Sequence, residues 1–161
     1  MKDQQDMKAN NVTRMLDARK IPYEAYELPP DKRGAVEAAD LLKVPPEWVY
    51  KTIVTTRIIK GKPILAVVPG PKQVNLKALA NALGEKKLVL PTEREAERLT
   101  GLRAGGISPL ALINRGFEVV IDVSAQGLGE IIVSGGERGL NIRLSVESLV
   151  YLTNARVAEI S

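Results

Sequence analysis

Residues 52–68 read TIVTTRIIKGKPILAVV. The first eight are rich in β-branched side chains and predict a strand over 52–59. KGKP, 60–63, has the glycine and proline of a turn. ILAVV, 64–68, predicts a second strand, and the two together predict a hairpin. The rest of the fold is read outward from it.

Toward the N-terminus, residues 35–43 (AVEAADLLK) predict a helix that Pro45 and Pro46 close. YEAYEL, 23–28, alternates loosely and predicts a strand, broken by Pro29 and Pro30. KANNVTRMLDARK, 8–20, sets Val12, Met15 and Leu16 at helical spacing, and Pro22 ends that helix. Toward the C-terminus, Asn75 caps LKALANAL, which offers Leu76, Leu79, Ala80 and Leu83 to a core, with Gly84 just past its end. KLVL, 87–90, is a short strand. Thr92 and Glu95 match a capping box before the helix TEREAERLT, which Gly101 ends. EVVIDV, 118–123, and EIIVS, 130–134, predict strands. SGGERG, 134–139, is a turn and LNIRL, 140–144, the next strand. Ser145 caps VESLVYL, and ARVAEI closes the chain as a strand. The expectation is one α+β domain over residues 1–161, with a mixed, strongly curved sheet and four or five helices.

Composition narrows the chemistry. The 161 residues suffice for one core, and 45% are hydrophobic but only 4% aromatic, so Leu, Ile, Val and Ala must fill it. The chain has no cysteine, which excludes disulfides, a Cys nucleophile and thiolate metal sites. It has no histidine, which excludes the commonest general base and metal ligand. A Ser-His-Asp or Cys-His mechanism cannot run here. No metal site and no cofactor are expected. The net charge of +4 is a mild bias toward anionic partners such as nucleic acid. No stretch of apolar residues is long enough to span a membrane, and MKDQQDMKANN lacks the apolar core of a signal peptide. The expected location is the cytoplasm.

Four features can carry function, and each has a plainer reading. GGISP, 105–109, lets backbone amides approach a ligand, with Pro109 stiffening the loop, or is an ordinary turn. SGGERGL, 134–140, places the Ser134 hydroxyl at a strand end where it can face a pocket, or is only a hairpin loop. Lys51, at the entry to an apolar strand, is a solvated lysine or a partly desolvated cation able to stabilise an oxyanion. The basic residues Lys60, Lys62, Lys86, Lys87, Arg94, Arg98, Arg103, Arg138 and Arg143 form a nucleic-acid patch or a solvated surface diluted by Glu93, Glu95 and Glu97.

VYKT (49–52), LKALANALGEKKL (76–88), TGLRAGGISPL (100–110) and IIVSGGERGL (131–140) fall in one order. That order resembles the YbaK/EbsC family of free-standing aminoacyl-tRNA deacylases, which are related to the editing domain of bacterial prolyl-tRNA synthetases. The likeness runs nearly end to end. It implies a mixed, closed or nearly closed β-barrel-like sheet flanked by helices. It implies cleavage of the ester joining a wrong amino acid to the 3′ end of a tRNA, most closely cysteine on tRNA(Pro). In the cysteine-specific members the substrate thiol attacks the ester carbonyl, so the protein needs no nucleophile of its own.

The resemblance also implies roles. Lys51, Gly105 and Ser134 would be catalytic. Tyr26, Thr52, Gly106, Ile107, Ser108, Pro109, Gly135 and Asn141 would bind substrate. The partners implied are the acceptor end of an aminoacyl-tRNA and a prolyl-tRNA synthetase, with no membrane and no metal. Two positions depart from the family pattern: Asn141 stands where an acidic residue is common, and Arg33 lies near where a hydrophobic pocket residue is expected. Two alternatives stay open. One is a deacylase of the same fold that removes alanine or serine with water as nucleophile. The other is a tRNA- or nucleotide-binding module without chemistry.

Overall fold

The computed structural model describes residues 9–161. Lys8, the start of the expected first helix, and most of the N-terminal segment read above therefore lie outside the described residues. The elements run α1 (Asn11–Ala18), β1 (Tyr23–Glu27), α2 (Ala35–Leu42), β2 (Tyr50–Arg57), β3 (Ile64–Pro69), α3 (Leu76–Leu83), β4 (Leu88–Val89) and α4 (Glu93–Thr100). They continue with β5 (Glu118–Asp122), α5 (Ser124–Leu128), β6 (Glu130–Ser134), β7 (Leu140–Ser145), α6 (Val146–Thr153) and β8 (Arg156–Ala158). Single 3₁₀ turns stand at Pro46–Trp48 and Pro109–Leu112.

The hairpin forms as expected. β2 and β3 pair antiparallel from Tyr50 opposite Pro69 to Thr55 opposite Ile64. It is the centre of a mixed five-stranded sheet ordered β4-β2-β3-β5-β8, with β3, β5 and β8 parallel. All six residues of β3 are buried, because both faces of the sheet are covered. One face sends Tyr50, Val54, Leu65, Val67 and Ile121 into the main core. The other packs Ile53, Ile64, Ala66, Val68 and Val120 against Leu79 and Ala80 of α3. A continuous apolar run such as ILAVV is what this position requires.

Sequence and structure differ at several places. The first strand ends at Arg57, not residue 59. Ile58 and Ile59 are 62% and 76% exposed in the loop, since β3 offers no partner before Ile64. Arg57 closes that loop, bonding Glu85 at 2.7 Å, Glu118 at 3.0 Å and the Lys62 carbonyl. α5 was not expected. It is a single turn containing Gly127, too short to show a period. With it the described residues hold six α-helices, not four or five. The Thr92 hydroxyl accepts from the Glu95 amide at 3.1 Å, but the Glu95 carboxylate turns forward to Arg98, so the capping box is only half made. The terminal strand is confined to Arg156–Ala158.

The sheet is also not one closed barrel. β1, β7 and β6 form a separate antiparallel three-stranded sheet. A single parallel bridge, Val49 to Ile132, joins it to the larger sheet, and no ladder extends from it. The mixed α+β architecture with flanking helices is as expected, and the closure is not. Among the described residues no helix is long and apolar enough to cross a membrane.

Candidate active site

A cavity of 430 Å³ opens where the two sheets meet. Val49 and residues 50–54 of β2 line it, together with Arg33, Gly34, Ala35 and Ala38 at the start of α2. Leu90, Pro91, Glu93 and Ala96 stand at the start of α4. Ala104, Gly105 and Ile107 come from the GGISP loop, and Ser134, Gly139 and Asn141 from the β6–β7 hairpin. Segments separated by a hundred residues converge on one volume. That is the size and mixed lining of a small-molecule site.

Lys51 is half-buried on β2, opposite Val68. Its ammonium has no carboxylate partner among the described residues, and burial alone lowers its pKa below the ordinary lysine range. A partly desolvated, unpaired cation attracts an oxyanion more strongly than one in bulk water. Beside it, the Thr52 hydroxyl is buried and has no hydrogen-bond partner. Polar atoms in that state are rare in folded proteins and often mark a functional site.

Ser134 and Asn141 are directly opposed across the β6–β7 ladder and therefore share a face. The Ser134 hydroxyl accepts from the Gly136 amide at 3.3 Å. The Asn141 side-chain amide donates to the Gly139 carbonyl at 3.3 Å, which leaves its own carbonyl as an acceptor. Tyr26 stands opposite Asn141 on β1, in the same cross-strand row. It does not line the cavity: its hydroxyl donates to Glu24 beside Arg143, and burial raises its pKa.

The two glycines of GGISP do different things. Gly105 lines the cavity at φ +90°, in the left-handed region open to glycine, and its amide meets no acceptor among the described residues. Gly106 does not line it. A Cβ there would sit 3.0 Å from the backbone of Glu137 and Arg138, so this glycine lets the GGISP and SGGERG loops touch. The contact is locked through both peptide groups that flank Ala104. Arg138 Nε donates to the Ala104 carbonyl at 2.7 Å, and the Ala104 amide donates to Glu97 at 2.8 Å. Ser108 and Pro109 are buried behind the loop, where the Ser108 hydroxyl accepts from the Leu110 amide at 3.1 Å and Pro109 opens a 3₁₀ turn. Gly135 also lies behind, bonded to Leu140 and accepting at its carbonyl from the Asn10 side chain that caps α1.

Of the eleven residues named from sequence, Lys51, Thr52, Gly105, Ile107, Ser134 and Asn141 line the cavity, and Tyr26, Gly106, Ser108, Pro109 and Gly135 support it from outside. Three of the nine residues of the basic patch are engaged in structure. Arg98 pairs with Glu95, Arg138 clamps the loop, and Arg143 lies over Trp48 and beside Glu130. Sequence reading did not name Arg33 as a contact, nor Tyr50. Tyr50 is buried, with its hydroxyl 2.7 Å from Ser124, which donates in turn to Asp122 at 2.5 Å. Nothing local in WVYKT marks that chain, because Ser124 and Asp122 arrive from β5 and the turn after it. Among the described residues no group of His, Cys, Asp and Glu is placed to hold a metal ion.

Residues 29–152 match the family model of the aminoacyl-tRNA editing domain. A candidate Cys-tRNA(Pro)/Cys-tRNA(Cys) deacylase, EbsC of Enterococcus faecalis, is 37% identical over 153 residues, which is 94% of this chain and 92% of that protein. A proline–tRNA ligase of Geobacter metallireducens is 29% identical over 114 residues, and the match covers 71% of this chain but only 19% of the ligase. The solved structure of a candidate trans-editing enzyme for prolyl tRNA synthetase superposes with a TM-score of 0.79 at 25% identity, covering 96% of this chain and 99% of that one.

Proposed function

The chain belongs to the aminoacyl-tRNA editing domain family, and on that footing we propose that it is a trans-editing deacylase that removes cysteine from tRNA(Pro). One observation carries the reading. An unpaired, partly desolvated lysine shares a cavity with a free glycine amide, in a chain without a single histidine or cysteine. Such a site offers electrostatic stabilisation and no nucleophile. It suits a substrate that supplies its own.

The substrate's cysteine thiol attacks its own ester carbonyl. A sulfur–carbon bond forms, negative charge gathers on the carbonyl oxygen, and the bond to the ribose oxygen then breaks. The thiol proton ends on the tRNA hydroxyl, and a thiolactone leaves, to be opened by water. Lys51 and the Gly105 amide face the developing oxyanion, a contribution worth roughly 10²–10³-fold per donor in comparable sites. Thr52, Ser134 and Asn141 hold the amino acid and the terminal ribose so that sulfur and carbonyl meet, which is catalysis by proximity. A synthetase pocket separates ligands that differ by one methylene by only about 1–3 kcal/mol, so proline and cysteine need this second check. The cavity has the volume of a single small-molecule site, and this reading assigns tRNA identity to a partner, a prolyl-tRNA synthetase, in the cytoplasm.

The test is release of labelled cysteine, alanine and serine from tRNA(Pro), with the wild type and Lys51→Ala. Lysine-dependent loss of cysteine alone, through a thiolactone, is the expected result. Loss of alanine or serine instead would keep the fold and make water the nucleophile. Binding of all three without release would make the chain a binding module.

A further inference from the structure

Among the described residues, two buried side-chain polar atoms lack a hydrogen-bond partner: Thr52 Oγ1 and Arg33 Nε. Both belong to residues that line the same cavity. Arg33 is the less expected of the two. Its side chain is only 8% exposed although it is charged. Nη1 is spent on the Pro29 carbonyl at 2.7 Å, and Nη2 reaches the exposed Asp31 carboxylate only at 3.5 Å. Of the three guanidinium nitrogens only Nε is without a partner, and with the weakly held Nη2 it forms an edge whose geometry grips a carboxylate or phosphate with two parallel hydrogen bonds.

The surroundings favour an anion. The cavity is lined by two cations, Arg33 and Lys51, and one carboxylate, Glu93. Glu93 is already bonded to Lys32 at 2.5 Å. Asn141 contributes no charge. Arg33 also stands beside Gly105: a Cβ on that glycine would lie 3.6 Å from the Arg33 backbone nitrogen. The Arg33 backbone thus runs beside Gly105, and both residues line the one cavity. If an aminoacyl ester lies there, as the reading above has it, the nearest anion on the same molecule is the phosphate on the 5′ carbon of the terminal nucleotide.

We propose that Arg33 is a substrate-binding residue whose Nε–Nη2 edge takes that terminal phosphate. The identity of the ligand rests on the deacylase reading. The cavity then holds the last nucleotide at two points, with Lys51 and Gly105 on the ester and Arg33 on the phosphate. An arginine in a pocket wall becomes a grip on the nucleic acid and leaves the amino acid to its neighbours.

The experiment titrates adenosine 5′-monophosphate and adenosine separately into the full chain and compares affinities. The wild type is expected to bind the monophosphate at least about tenfold more tightly, the scale of one bidentate charged contact. Arg33→Leu and Arg33→Lys are both expected to bring the ratio near one with the affinity for adenosine unchanged. Arg33→Lys keeps the charge, so it carries the test if Arg33→Leu fails to fold by circular dichroism. Equal binding of the two probes by the wild type overturns the proposal. So does a preference that survives Arg33→Lys and disappears in Lys51→Ala. Cysteine release from tRNA(Pro) by the same preparations separates the two claims. A wild type that holds the phosphate through Arg33 and deacylates nothing overturns the function alone. One that deacylates without distinguishing the probes overturns this inference alone.

Discussion

Replacing Lys51 by Met keeps the length and the apolar stem of the side chain and removes only the ammonium. Because that ammonium has no carboxylate partner among the described residues, the change orphans no buried charge there. Burial holds its pKa below the ordinary range, so folding disfavours the charged form relative to the unfolded chain. The cost of keeping it charged is present at neutral pH and is relieved as pH rises through the folded pKa. Lys51→Met therefore leaves the neutral-pH stability unchanged or slightly raised. Activity is predicted to move the other way. Loss of one charged donor facing the developing oxyanion costs about 10²–10³-fold in the chemical step, or roughly 2.7–4 kcal/mol. The assay is single-turnover release of labelled cysteine from tRNA(Pro), with thermal unfolding followed by circular dichroism on the same samples. A variant within threefold of the wild-type rate refutes the placement of charge. A large fall in Tm refutes the claim that the lysine is there for chemistry and not for structure.

Gly106→Ala places a methyl 3.0 Å from the backbone of Glu137 and Arg138, where no flexible side chain can yield. It is predicted to cost about 1–3 kcal/mol in urea unfolding and to impair turnover by parting the two loops. Asp122 accepts hydrogen bonds from Ser124 and from the Ile160 amide. Burial pushes its pKa up, but these bonds outweigh it and the net shift is downward. Its stabilisation is therefore present above the ordinary carboxylate pKa and is lost as pH falls through the lower folded value. Asp122→Asn should lower the urea midpoint at pH 7 and lower it less at acid pH, and an equal loss at both would contradict the assignment. Arg143→Met removes the stacking over Trp48 and the pair with Glu130 from the central strand of the small sheet. A loss of about 1 kcal/mol or less is expected, with cysteine release unchanged.

What could be read from the residues alone was whatever a few neighbouring groups decide among themselves. Asn75 and Ser145 cap their helices by accepting a hydrogen bond from an amide three residues ahead, and Thr92 does the same. Gly84 and Gly101 take the left-handed conformation at helix ends. The hairpin of β2 and β3 also needed only its own pattern and turn. The absence of histidine and cysteine excluded whole mechanisms before any coordinate was considered. The order of four short motifs carried the family, and six of the eleven residues taken from that resemblance line the cavity.

The tertiary structure decided everything that depends on distant chain segments meeting. Strand preference is written in β-branching, but a strand exists only where a partner offers hydrogen bonds, so Ile58 and Ile59 lie in a loop. Whether the sheet closed could not be read from any strand. It turned on the single bridge between Val49 and Ile132. The two glycines of GGISP are alike in sequence, and only the approach of the SGGERG loop separates the one that faces the cavity from the one that packs. Arg33 sits in a polar stretch that resembles any solvated loop. Its burial, its unspent nitrogen and its place beside Gly105 come from α2, the loop and β2 converging. Local bonds are set by local residues, and a site built from five separate segments is set by how all of them pack.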